Sequence, residues 1–153
     1  MKIVSVIPAR GGSKSIVNKN LQLIDGIPLV ARSIVASKAV KEIIETYVSS
    51  DSDEILEVSK SYGATTINRP ENISNDESST EDVLLHFIEV LSKKNINFDI
   101  LVCLQCTSPF TVLDDIDGTI NALISNDADC ALAVTKFHHF LWWLCLLDFL
   151  SNL

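Results

Sequence analysis

The chain is short of positive charge, of glycine-rich nucleotide signatures and of long apolar runs, and each shortage excludes something. Lysine and arginine number 12 against 20 acidic residues, a net charge of −8. That balance argues against a nucleic-acid or anionic-membrane surface. An anionic ligand remains compatible with it, because a few clustered cations can hold a phosphate inside an acidic protein. Arg10, Lys14 and Lys19 form such a cluster. The stretch nearest to a membrane span, Phe140–Leu150, is too short to cross a bilayer and contains Asp148. The opening MKIVSVIPARGG does not read as a signal peptide, since its short apolar run turns into a Gly-rich loop. Neither GxGxxG nor GxxxxGK[ST] occurs at that loop, so the dinucleotide fingerprint and the Walker-type loop both fail. There is no internal repeat and no low-complexity linker. The 153 residues suffice for one domain with a real core.

Cysteine is scarce too: Cys103, Cys106, Cys130 and Cys145. Cys103 and Cys106 have CxxC spacing, but no second CxxC or His pair matches it, which disfavours a zinc site or a redox pair. Cys103 is expected to face the core from a buried strand. All four are read as free thiols, in a reducing cytoplasm.

What is present is an alternation of apolar runs and helical patterns. Ile3–Pro8 is a continuous β-branched run, the mark of a strand buried on both faces. A Gly-rich basic loop follows. Helices are predicted over Pro28–Ala39, Asp51–Tyr62, Thr80–Lys94 and Leu113–Ser125, and further strands over Thr46–Ser49, Ala64–Ile67, Ile100–Leu104 and Cys130–Val134. Leu29, Ile34 and Val35 can share a face of the first helix. Ser78 and Glu81 have capping-box spacing before the third, whose apolar stripe is Val83, Leu84, Phe87, Ile88 and Leu91. Strands separated by helices imply an α/β fold, a mostly parallel sheet of about five strands with helices on both faces.

The loop Pro8-Ala9-Arg10-Gly11-Gly12-Ser13-Lys14, with Lys19-Asn20 beyond it, follows the first strand. In an open α/β sheet ligands bind at the carboxyl ends of the strands. Gly11 and Gly12 let the backbone approach a ligand, and Arg10, Lys14 and Lys19 can neutralise a polyphosphate. The loops of residues 9–20, 68–80 and 105–112 are expected to gather on one edge of the sheet. The acids Asp51, Asp53 and Glu54, and likewise Asp114 and Asp115, read as first-turn residues favoured by the helix dipole rather than as a metal site. His86 reads as a partly buried structural histidine. The adjacent His138 and His139 are poorly spaced for a shared metal.

This loop, RGGSK after an IP strand with KN shortly beyond, resembles the nucleotidyltransferases that activate nonulosonic sugars with CTP, the acylneuraminate cytidylyltransferases. Three further stretches resemble the family in the right order. They are Asn68-Arg69-Pro70-Glu71 leading to Asp76 and Ser78-Ser79-Thr80, then Leu104-Gln105-Cys106-Thr107-Ser108-Pro109, then His138-His139. Departures from the family pattern are Val17 and Cys106 where prolines are usual, and Thr111 where arginine is frequent.

The resemblance implies a Rossmann-like, three-layer nucleotidyltransferase fold. It implies transfer of CMP from CTP to the anomeric hydroxyl of a sialic-type sugar acid, with release of pyrophosphate. Arg10, Gly11, Gly12, Ser13, Lys14, Lys19 and Asn20 would hold the phosphates and ribose of CTP, and Arg69, Ser79 and Thr80 would sit near the cytidine. Gln105, Thr107 and Ser108 would lie towards the sugar, with Lys19 and Gln105 as catalytic residues. Magnesium is expected from the family, through a pair of late aspartates that this sequence does not contain, so the metal ligands are unknown. The resemblance also implies a cytoplasmic location and, for the complete members of the family, a homodimer, whose contacts this chain would largely lack. Residues 1–139 are expected to form the nucleotide-binding region and 140–153 an apolar tail foreign to it, as if the C-terminal part were missing. Activity is then expected to be impaired, the alternatives being a non-catalytic remnant or a nucleotide-binding module without turnover.

Overall fold

The computed structural model describes residues 1–13, 16–75 and 77–134. Lys14, Asp76, His138, His139, Cys145 and the 140–153 tail lie outside them. Strand β1 (Ile3–Pro8) comes first, and a small hairpin, β2 (Leu23–Ile24) and β3 (Ile27–Pro28), leads into helix α1 (Leu29–Ala39). Then follow β4 (Ile43–Ser50), α2 (Asp53–Ser61), β5 (Thr65–Asn68), α3 (Thr80–Lys93), β6 (Ile100–Cys103) and α4 (Leu113–Ser125). Two compact units divide the chain, Met1–Asp117 and Gly118–Leu153. The first contains a parallel sheet in the order β5-β4-β1-β6.

The alternation of side chains along β1 explains why helices cover both faces. Val4 and Val6 point to one side, where they pack with Tyr47, Ile67 and the α3 residues Phe87 and Leu91. Phe87 meets the Tyr47 ring edge-on at 5.2 Å. Ile7 points to the other side, into a cluster with Leu29, Val30 and Ile34 of α1 and Ile55 of α2. A strand with cover on both faces needs apolar residues at successive positions, which the run Ile3–Ile7 supplies. Its one polar member, Ser5, is buried in a hydroxyl chain: Ser5 Oγ lies 2.6 Å from Ser37 Oγ, which lies 2.8 Å from Thr46 Oγ1.

Several expectations need correction. Cys130–Val134 is not a strand; Leu132 and Val134 are 81% and 84% exposed, and an apolar run without a ladder partner does not make one. Among the described residues the parallel sheet therefore has four strands rather than about five. Cys103 is exposed and Cys106 is the buried thiol. Cys103 ends a strand at the margin of that sheet, whereas Cys106 packs with Ile7, Ala9 and Leu29. Val35 and Ile88 sit at the margins of their stripes and are half-exposed. Asp51 precedes α2 instead of opening it, since Ser52 is the cap and Asp53 and Glu54 occupy the first turn.

The capping box of α3 falls one residue later than the spacing predicts. Asp82 N–H donates to Ser79 Oγ at 3.1 Å, and Ser79 N–H returns a bond to Asp82 Oδ2 at 3.0 Å. Ser78 is taken up elsewhere, its N–H and hydroxyl both donating to Asn75 Oδ1. Ser79→Ala is accordingly expected to lower stability by about 1 kcal/mol. Chemical denaturation of this variant beside Ser78→Ala checks it: equal losses would place the cap wrongly.

Candidate functional site

A cleft of about 290 Å³ opens at the carboxyl ends of the parallel strands, close to the lower limit of small-molecule sites. The loop after β1 contributes Arg10, Ser13, Lys19 and Asn20 to its wall. The segment after β5 contributes Arg69, Ser79 and Thr80, and the segment after β6 contributes Gln105, Cys106 and Thr107. Residues from all three expected loops thus line one cleft. Gly11, Gly12 and Ser108 do not line it.

Each loop is held by its own local chemistry. Asn18 takes a left-handed φ of 50° and starts the short 3-10 turn Lys19–Leu21. Within that turn Asn20 is buried and donates from Nδ2 to the Arg10 carbonyl at 2.9 Å, which fixes Lys19 across from Arg10. Arg10 Nη1 donates to the Asn75 carbonyl at 3.0 Å, tying the first loop to the second. Gly11 serves the fold: a Cβ there would come within 2.9 Å of Ser52 Cβ. Ser108 shapes the third loop, its N–H bonding the Gln105 carbonyl while its own carbonyl accepts from Thr111 Oγ1. Thr107 Oγ1 donates to Gln105 Oε1 at 3.4 Å.

Arg69 is the least ordinary residue of the cleft. Its side chain is only 4% exposed, its Nη2 lies 3.7 Å from Asp51 Oδ1, and Nε and Nη2 make no hydrogen bond. Burial pulls the guanidinium below its usual pKa, the Asp51 charge pushes it back up, and the Arg10 charge lowers it. Arginine nonetheless stays protonated in proteins, so a buried cation with spare N–H groups forms part of the cleft wall. Asp51 was not marked by the sequence pattern as a site residue, because acids ahead of a helix are ordinary.

Cys106, where the family pattern has proline, is buried, and burial pushes its thiol up to about 11, against smaller lowering effects from Ser33 and Lys19. Such a thiol is almost entirely protonated near pH 8, so it is a poor nucleophile. Iodoacetamide at that pH is expected to label exposed Cys130 well before Cys106, as followed by peptide mass mapping. Labelling of Cys106 first would contradict the burial.

Magnesium finds no fitting donor set among the described residues. Those lining the cleft include no carboxylate, and no group of three or more His, Cys, Asp or Glu side chains comes together among the described residues. Asp51, the acid beside it, accepts from Gly11 N–H and neighbours Arg69. A magnesium ion held by protein takes one or two carboxylates, which the described lining of the cleft does not supply.

A parallel α/β sheet with a basic, hydroxyl-rich cleft at its carboxyl edge is the arrangement in which open α/β folds bind their ligands. A family model described as cytidylyltransferase matches residues 4–140. The chain belongs to that cytidylyltransferase family. It is 36% identical over 140 residues to a pseudaminic acid cytidylyltransferase of Campylobacter jejuni, covering 91% of this chain and 60% of that protein. Over 111 residues it is 38% identical to a CMP-N,N'-diacetyllegionaminic acid synthase of Legionella pneumophila, covering 72% and 48%. Among solved structures, CMP:2-keto-3-deoxy-manno-octonic acid synthetase complexed with CTP superposes with a TM-score of 0.69 at 26% identity, over 84% of this chain and 49% of that one. The chain thus spans 60% or less of the length of these relatives. No helix among the described residues is long and apolar enough to cross a membrane.

Proposed function

We propose that the cleft binds CTP and that the protein transfers CMP to the anomeric hydroxyl of a nonulosonic sugar acid. The hydroxyl oxygen bonds to the α-phosphorus, the bond to the bridging oxygen breaks, and pyrophosphate and a proton are released. The observation that carries this reading is the convergence of Arg10, Lys19 and the buried Arg69 on one cleft at the carboxyl ends of the strands. Lys14, in the same loop by sequence, would join them. Ser13 and Asn20 then serve the phosphates and ribose, and Arg69, Ser79 and Thr80 the cytidine, while Gly11 and Gly12 shape the loop that carries them. Gln105 and Thr107 serve the sugar acid, and Ser108 shapes the loop that presents them. In transfer to phosphorus most of the catalysis comes from positioning and charge neutralisation. Lys19 offsets charge developing on the α-phosphate, and Gln105 orients the attacking hydroxyl. Residues 1–139 form the nucleotide-binding region.

A second reading, nucleotide binding without turnover, draws on one observation: the described part of the cleft offers no carboxylate to hold a metal. Two measurements separate the readings. CTP is titrated by calorimetry, and pyrophosphate release is followed with pseudaminic, legionaminic and N-acetylneuraminic acids in turn. Binding with release supports transfer. Binding without release on any sugar supports the second reading, and absence of CTP binding sinks both.

A further inference from the structure

We infer that Asp51 is a positioning residue for this site, holding the β1 loop and the Arg69 guanidinium in one arrangement; the inference rests on the CTP reading above. Asp51 follows directly on β4 and precedes the α2 cap Ser52. Its surroundings are fixed by backbone bonds on either side. Ser49 carbonyl accepts from Ala9 N–H at 2.9 Å, and Ser50 carbonyl accepts from Arg69 N–H at 2.8 Å. The carboxylate therefore stands between the chain leaving β1 and the chain leaving β5. Its Oδ1 accepts from Gly11 N–H at 2.9 Å and lies 3.7 Å from Arg69 Nη2.

That second distance is the informative one. It is short enough to compensate the charge of a buried guanidinium and too long for a hydrogen bond. A carboxylate closer in would consume the N–H groups of Arg69. This one leaves Nε and Nη2 without a bond while keeping the cation in place. Asp51 itself is not part of the cleft wall, so it acts on a bound anion through Arg69. Asp53 and Glu54, two and three residues further on, are exposed on the first turn of α2 and have no such placement.

Asp51→Asn tests this in the full chain, because asparagine keeps an acceptor for Gly11 N–H and removes the charge facing Arg69. CTP affinity is expected to fall about fivefold or more. The same change made on top of Arg69→Met is expected to have no further effect. A structural role alone would lower affinity equally in both backgrounds, and that result overturns the inference. So does an unchanged or tighter affinity, the outcome if Asp51 merely adds negative charge near a phosphate. A readout free of nucleotide keeps the two proposals apart: the Arg69 Nε–H resonance of the free protein is expected to shift in Asp51→Asn. If it shifts while the parent protein fails to bind CTP, the CTP reading falls and the Asp51–Arg69 coupling stands. If it does not shift, the coupling is wrong whatever CTP does.

Discussion

Arg69→Met is expected to weaken CTP binding by about 10- to 150-fold while leaving the ligand-free fold as stable as before, or more so. Hydrogen bonds to a charged partner contribute roughly 1.5–3 kcal/mol each, which sets that range if one is lost. The stability half of the expectation comes from burial. The guanidinium is 4% exposed, and its Nε and Nη2 are without bonds. Its ion pair with Asp51, at 3.7 Å, offsets only part of the desolvation. Methionine fills similar space without a charge. Asp51 loses a neighbour, but its side chain is 27% exposed and keeps the Gly11 N–H, so it is not stranded. Calorimetric titration and thermal unfolding of the free protein check the two halves separately. Unchanged CTP affinity, or a melting temperature lowered by many degrees, would refute the account of Arg69 as a residue kept for its ligand.

The two glycines of the first loop are expected to behave differently. Gly11→Ala places a Cβ 2.9 Å from Ser52 Cβ, closer than carbon atoms tolerate. Ser52 cannot retreat freely, because its Oγ accepts from Ile55 N–H to cap α2. The loop must therefore give, and with it the Gly11–Asp51 bond. A loss of about 1–3 kcal/mol in stability is expected, with weaker CTP binding beside it. Gly12→Ala meets nothing within 4 Å and is expected to be close to silent on stability. Urea midpoints of the two variants decide between this and the simpler idea that both glycines exist only to admit a ligand. Equal midpoints would favour the latter.

Long periodic or continuous patterns were legible in the sequence, and short-range partner choices were not. The Ile3–Pro8 run announced the central strand because burial on both faces leaves no room for alternation. Helix α4 was readable to the residue from Leu113 to Ser125. The hairpin at Asp25-Gly26, whose residues take positive φ of 53° and 75° as a two-residue turn demands, was missed. The strands it joins have two residues each, too few to stand out as an apolar run. Cys130–Val134 misled in the other direction, since composition suggests a strand but only a neighbouring ladder makes one. For the site, charge and loop position pointed to Arg10, Lys19 and Gln105. Asp51 escaped because its role depends on Arg69, 18 residues away in sequence, and on a main-chain N–H 40 residues away. Which serine caps α3 was likewise decided by Asn75, which draws Ser78 into its own turn.

The strand order β5-β4-β1-β6 has a consequence for the timing of assembly during synthesis. Strand β1 is made first and lies between two partners that come much later, with Ile3 opposite Ile43 on one side and Ile100 on the other. At about 5–20 residues per second, the last of these partners follows β1 by roughly 5–20 s. For that interval an apolar strand destined for complete burial has one edge without a partner. Parallel pairing also admits no local hairpin as a shortcut. The nascent chain is therefore expected to spend several seconds as a client for ribosome-associated holdases, with the β1–β6 ladder the last of the three described ladders to close.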